Sequence, residues 1–205
     1  TVAYSLSGNY NKRDGYADDL ATGSDVNQRD RWGIRGQLLF EPNEDLSFRV
    51  IGDYDEIDEI CCVAGNLVNG PTGAAIGLLG GQLDAENPFS YEVFNNFDST
   101  NEIENSGISL QADYALPFAD LTSITSFRTV DSVTDQDSDF TSADLVERNL
   151  SETNIETFTQ EVRLTSNNPD AQFDWMVGAF FFDEQVEVSN EFFYGADFRA
   201  YADIL

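Results

Sequence analysis

The sequence predicts an all-β fold, an antiparallel up-and-down transmembrane β-barrel segment of about seven strands. Three observations carry this expectation. Segments in which apolar and polar residues alternate recur from end to end. The connections between them switch between about 4–6 residues and about 17–45, in strict order. Aromatic residues gather near the ends of the apolar faces, as they do at a lipid–water boundary. A soluble β-sandwich has no reason to sort its loops by length. A membrane barrel does, with short periplasmic turns on one rim and long extracellular loops on the other.

The first strand, residues 1–12, sets Val2, Tyr4, Leu6, Gly8 and Tyr10 on one face and Thr1, Ala3, Ser5, Ser7 and Asn9 on the other. Residues 13–29 contain Gly15, Asp18, Asp19, Gly23 and Asn27, which break regular structure and mark a long loop. The second strand, from near Asp30, alternates Trp32, Ile34, Gly36, Leu38 and Phe40 with Arg31, Gly33, Arg35, Gln37 and Leu39. Residues 41–45 form a tight turn in which Pro42 fixes φ. Beyond it, Leu46, Phe48, Val50, Gly52 and Tyr54 oppose Ser47, Arg49, Ile51 and Asp53. From Asp55 to about Asn105 the alternation lapses, leaving the longest excursion, with a short helical turn at residues 74–79. Loops of that length are usually functional.

The fourth strand places Ile108, Leu110, Ala112 and Tyr114 against Ser109, Gln111 and Asp113, and residues 116–120 turn back. The fifth, residues 121–131, alternates poorly and rests on its β-propensity. An acidic loop over 132–153 leads to the sixth strand, 154–165, and residues 166–171 form the third tight turn. The seventh has Phe173, Trp175, Val177, Ala179 and Phe181 outside and Asp174, Met176, Gly178, Phe180 and Phe182 inside. Each strand has about nine to twelve residues, close to the roughly 9–11 that cross a bilayer at a tilt. Tyr10, Phe40, Tyr54, Tyr114, Phe127, Phe173 and Trp175 supply the interfacial aromatics.

Charge narrows the function classes. Lys and Arg total 10 against 38 Asp and Glu, a formal charge of -28 over 205 residues. One acidic cluster is Asp53, Asp55, Glu56, Asp58 and Glu59; another is Asp131, Asp135, Asp137 and Asp139. Both read as solvated loop carboxylates. Such a field repels phosphate backbones and excludes nucleic acid as a partner. No apolar run approaches the roughly 20 residues of a membrane helix. Residues 1–4 carry no export signal and residues 201–205 stop without a turn, so both ends are expected to be cut from a longer polypeptide.

Histidine is absent, removing the commonest general base and metal ligand. Neither a Ser-His-Asp set nor a phosphate loop can be assembled, so the sequence argues against an enzyme and indicates neither cofactor nor metal. Asp135, Asp137 and Asp139 have the spacing of a calcium loop, but Phe140 stands at its sixth position and Val146 at its twelfth. An acidic solvent loop is the better reading, with divalent bridging to lipopolysaccharide left open. Cys61 and Cys62 are adjacent; a bridge between them would rigidify a loop in an oxidising compartment, and whether it forms is left open.

The run Phe158-Thr159-Gln160-Glu161-Val162-Arg163-Leu164-Thr165-Ser166, followed across a turn by Phe173-Asp174-Trp175-Met176-Val177-Gly178-Ala179-Phe180-Phe181-Phe182, resembles TonB-dependent outer-membrane receptors. So do Arg35-Gly36-Gln37-Leu38, Glu41-Pro42, Leu46-Ser47-Phe48-Arg49 and Leu121-Thr122-Ser123-Ile124-Thr125-Ser126-Phe127-Arg128. The resemblance implies a barrel of roughly 22 strands closed around a plug domain, with residues 1–205 forming about a third of the wall. It places the chain in the outer membrane of a Gram-negative bacterium, against lipid and lipopolysaccharide. The plug and the closing strands are expected elsewhere in the polypeptide. Its own plug, TonB through that plug, and a scarce nutrient such as a ferric siderophore are the implied partners.

The inward polar residues Arg31, Arg35, Arg49, Asp53, Arg128, Glu161 and Arg163 are the candidate site. The plainer reading makes them wall salt bridges or plug contacts. The sharper one makes them contacts to an anionic ferric chelate. A passive porin-like channel and a secreted β-sandwich binding module are the alternatives.

Overall fold

A computed structural model describes residues 1–83, 87–170 and 172–205. In chain order the elements are β1 (Val2–Arg13), β2 (Ala17–Asp19), β3 (Asp25–Val26), β4 (Arg29–Phe40), β5 (Leu46–Ile60), α1 (Gly73–Leu78), β6 (Glu92–Val93), β7 (Thr100–Ala115), β8 (Ala119–Asp135), β9 (Val146–Ser166), β10 (Met176–Tyr194) and α2 (Phe198–Ile204). Seven strands form one antiparallel sheet in the order β1-β4-β5-β7-β8-β9-β10, each paired with its sequence neighbour among the seven. The sheet is not closed, and β1 and β10 are its edges. A single continuous sheet replaces the two packed sheets that a β-sandwich requires, so that alternative is excluded.

Register explains how one face becomes apolar. Directly paired residues project to the same side of a sheet, so each rung can be followed from strand to strand. One rung runs Leu6, Gly36, Gly52, Ile108, Phe127, Phe158, and another runs Val2, Phe40, Phe48, Ala112. This face leaves Tyr4 85% and Leu6 71% exposed, with Ile34, Leu38, Leu110, Val162 and Val177 also bare. An apolar surface of this extent fits lipid rather than water. The poor alternation of the fifth predicted strand has a local cause. Its outward Thr125 hydroxyl donates to Gln160 Oε1 at 2.6 Å, and Gln160 Nε2 donates to Ser123 Oγ at 3.0 Å, so these polar groups satisfy each other.

The strands are longer than the sequence predicts. β5 has 15 residues, β7 16, β8 17, β9 21 and β10 19. Above Tyr54 the outward rungs turn polar: Glu56 pairs with Glu104 and Glu104 with Asp131, while Asp58 pairs with Glu102. Polar residues on both faces erase the periodicity from which strands are read, so these upper tiers look like loops in sequence. The cluster Asp53 to Glu59 therefore lies on β5 rather than in a loop. The excursions shrink to 61–99 and 136–145.

Residues 41–45 and 116–118 form tight turns on one rim. The third expected turn, 166–171, is instead a longer link over 167–175. It is closed by Ser166 N–H donating to the Trp175 carbonyl at 2.8 Å and Trp175 N–H donating to Ser166 Oγ at 2.9 Å. Pro169, which lacks an N–H, and the Asn168 side chain, which accepts from Asp170 N–H at 3.0 Å, keep this stretch out of the ladder. Phe173 and Trp175 thus precede β10 rather than lie in it. The Ala171 end of this turn and residues 84–86 of the long excursion lie outside the described residues.

On the opposite rim the long connections fold into a cap. β2 pairs antiparallel with β3 and parallel with β6, and Ala17, Val26 and Val93 form a small core with Ile60 and Val63. A second core joins Ile76 of α1 to Ala143, Leu145 and Tyr201 of α2. The helical turn expected at 74–79 is present as α1; α2 carries no periodic signal long enough to read from sequence.

Candidate ligand-facing wall

The seven sequence-selected residues all project from the face opposite the apolar one, as the rungs Arg35–Asp53, Arg49–Gln111, Arg128–Gly107, Ile124–Glu161 and Thr122–Arg163 require. Three of them meet. Arg128 Nη2 donates to Asp53 Oδ2 at 2.7 Å, Arg35 Nη1 reaches Asp53 Oδ1 at 3.4 Å, and Arg128 Nη1 donates to Asn105 Oδ1 at 2.6 Å. Arg128 is on β8 and Asp53 on β5, so the guanidinium must cross β7. It crosses over Gly107, where an added Cβ would stand 2.6 Å from Arg128 Nη2. Glycine is present because a side chain there would evict the arginine.

The remaining four are separate. Arg31 grips Glu59 with two bonds, Nε to Oε1 at 2.5 Å and Nη2 to Oε2 at 2.9 Å, the fork geometry that guanidinium and carboxylate share. Arg163 reaches Glu161 on its own strand at 3.3 Å. Arg49 is exposed and makes no ion pair among the described residues. Sequence reasoning missed Asn105, Gly107 and Glu59 as members of this wall. Gly107 had a usable signal, since it stands between Asn105 and Ser109 in the inward row one strand away from Asp53.

Above the wall, carboxylates organise the cap instead of facing solvent. Asp19, 2% exposed, accepts from Ala21 N–H, Asn95 N–H and Asn95 Nδ2. Asp137, fully buried, accepts from the backbone N–H of Asn96, Asp139 and Phe140 at 3.1 Å each. Asp139 accepts from Thr141 and Val146 N–H. The expected acidic solvent loop is therefore a hydrogen-bonded scaffold, and Asp131 and Asp135 belong to β8. Burial, and then the neighbouring Asp139 charge, push the Asp137 carboxyl up to about 6. Burial also raises Asp139.

Cys61 and Cys62 form a disulfide with each other where β5 enters the cap. Cys61 N–H donates to the Ser99 carbonyl at 3.0 Å and Cys62 N–H to Asn27 Oδ1 at 3.0 Å. Cys62 and Asn27 both have positive φ, 79° and 62°. The bridged pair thus ties the first and second long connections together.

An open, up-and-down antiparallel wall with a polar face, an apolar face and a loop cap at one rim is a β-barrel segment. No family model matches the chain, and no curated protein matches it in sequence. Among solved structures it is similar to the ferric yersiniabactin uptake receptor FyuA from Yersinia pestis. The TM-score is 0.70 at 12% identity, over 94% of this chain and 28% of that one. At that identity the likeness is one of fold, and the chain spans little more than a quarter of that receptor.

Proposed function

We propose that residues 1–205 are part of the barrel domain of a TonB-dependent outer-membrane receptor that imports a scarce nutrient, with a ferric siderophore as the ligand class. The observation supporting this reading is the coincidence of a fold like that of a ferric yersiniabactin uptake receptor with a wall apolar on one face and arginine-studded on the other. In this reading the apolar face meets lipid, with lipopolysaccharide around the upper tiers. The arginine face meets the receptor's own plug and, in its upper part, the ligand. The rim of residues 41–45, 116–118 and 167–175 lies in the periplasm and the cap lies outside the cell.

The test is uptake. The intact protein, expressed in a Gram-negative host stripped of its own siderophore receptors, is expected to accumulate radioiron from a panel of siderophores only while TonB is present. Accumulation that survives loss of TonB would establish a passive channel instead. Replacing both Arg35 and Arg49 by Gln is expected to lower uptake; unchanged transport and affinity would reduce those residues to wall structure.

A further inference from the structure

The two cysteines of the chain are bonded to each other at the point where β5 leaves the sheet, as the first two residues of the second long connection. All three long connections reach this pair or its neighbours. From the first, 14–28, the Asn27 side chain accepts from Cys62 N–H at 3.0 Å, and Gln28 N–H donates to the Ile60 carbonyl at 3.2 Å. From the far end of the second, 61–99, the Ser99 carbonyl accepts from Cys61 N–H at 3.0 Å. From the third, 136–145, Gln136 Nε2 donates to the Cys62 carbonyl at 3.5 Å. Ile60 and Val63, on either side of the pair, both pack against the core of Ala17, Val26 and Val93. A single bend thus carries the contacts that hold three loops together.

The bend depends on the bond, and the bond is open to attack. Cys62 holds φ at 79°, a left-handed conformation that a residue with a side chain keeps only where its surroundings impose it. A ring closed between adjacent cysteines is such a constraint. With the bond open, Cys62 can return to negative φ, which turns its carbonyl away from Gln136 and its N–H away from Asn27. Asn27, itself at φ 62°, then loses the donor that its side chain accepts from. The two sulfurs also differ in access: Cys61 is 9% exposed, while Cys62 is exposed to solvent. Thiol–disulfide exchange needs a path to only one of them.

We propose that Cys61–Cys62 is an exchange site for low-molecular-weight thiols, and that its opening releases the three long connections from one another. A thiolate attacks Cys62 Sγ, the S–S bond breaks, and Cys61 Sγ leaves with the electron pair and takes a proton. A second thiolate attacks the outer sulfur of the mixed disulfide, and Cys62 Sγ leaves and is protonated in turn. Two electrons and two protons reach the pair while two external thiols become one external disulfide. Cys61 stays beside Cys62 in the chain, so the reverse attack on the mixed disulfide is intramolecular, and the bond re-forms when external disulfide is in excess. The bond and the loops it joins belong to the chain itself, so the site operates whatever the wall transports.

The test is amide exchange read by mass spectrometry on the intact protein in detergent micelles, with dithiothreitol as the thiol. Iodoacetamide is expected to label both cysteines in the presence of dithiothreitol while the sheet stays folded. Exchange over 14–28, 61–83 and 136–145 is expected to quicken at least about tenfold, and exchange over 46–54 and 121–131 to stay unchanged. Excess oxidised glutathione, added before any alkylation, is expected to restore the slow rates. A variant carrying Cys61→Ser and Cys62→Ser is expected to exchange fast in the three loops with or without dithiothreitol. Should that variant not fold, reduced protein blocked with iodoacetamide gives the same open state. Cysteines that stay unlabelled until the sheet unfolds, or labelling without faster loop exchange, would overturn the site. So would quickening that oxidised glutathione does not reverse, or that dithiothreitol also produces in the serine variant or the blocked protein.

Discussion

Gly107 shows how much a single missing side chain can decide. The ion pair it permits, Arg128 with Asp53, is partly exposed on the arginine side, and such pairs contribute about 0–1 kcal/mol. The steric term is larger: Gly107→Ala is expected to cost about 1–3 kcal/mol by driving Arg128 off its partners. Denaturant unfolding of the intact protein measures this. In an Arg128→Ala background the same substitution is expected to cost much less, and an equal cost would mean that the close approach is not the cause. Asp137 offers a pH test. Its folded-state carboxyl, near 6, holds a proton more tightly than an unfolded one at its ordinary 3.8. Its contribution therefore grows as pH falls through 6 toward 4 and is lost as pH rises. Amide exchange over residues 136–145, corrected for intrinsic rates, is expected to slow at pH 5 relative to pH 7, and Asp137→Asn is expected to flatten that difference. Asp137→Ala, which strips an acceptor from three N–H groups, is expected to loosen the cap by about 1–3 kcal/mol. Arg31, Arg35, Asp53 and Arg128 were legible in sequence as inward residues, because parity alone assigns a face. Which of them meet was not legible, because that depends on pairing across three strands and on a glycine between them. The burial of Asp137 was equally hidden, since a buried N–H acceptor and a solvated carboxylate have the same letter.

At the scale of elements, each of the longer strands β5, β7, β8, β9 and β10 has two zones. In β5 the span from Leu46 to Tyr54 presents apolar residues outward over a length matching the roughly 9–11 residues of a bilayer crossing, and the remainder to Ile60 presents acids. This division predicts a depth profile. Ile108→Arg, in the rung of Gly52 and Phe127, is expected to destabilise the protein in phospholipid bilayers by about 2–4 kcal/mol. Glu104→Arg, in the polar tier of the same strand, is expected to cost about 0–1 kcal/mol or less. Urea unfolding from vesicles checks both, and equal costs would place the apolar boundary elsewhere. The lower zone was readable because an apolar face on one side and a polar face on the other impose a period of two. The upper zone was not, because polar residues on both faces impose none. That is why the third to seventh predicted strands stopped short at the cap end while the first two, and the turn at 41–45, were located to within a residue.

The whole molecule is a sheet with two free edges, at β1 and β10, each a row of unpaired backbone donors and acceptors. Residues 1–205 produced alone in detergent are expected to associate through these edges and to form no ion-conducting channel; sedimentation and planar-bilayer recordings measure both. A stable monomer would mean that the edges are shielded in a way the fold does not show. The acidic upper tiers also govern what can lie against the outer side of the wall. Glu56, Asp58, Glu102, Glu104 and Asp131 project outward, so an anionic surface approaching the cap end meets like charge on a chain whose formal charge is -28. At physiological ionic strength this repulsion decays over about 8 Å. Added salt is therefore expected to ease the approach of anionic vesicles more than that of neutral ones. The outer tiers would act as a fence, holding anionic surfaces away from the cap end of the wall.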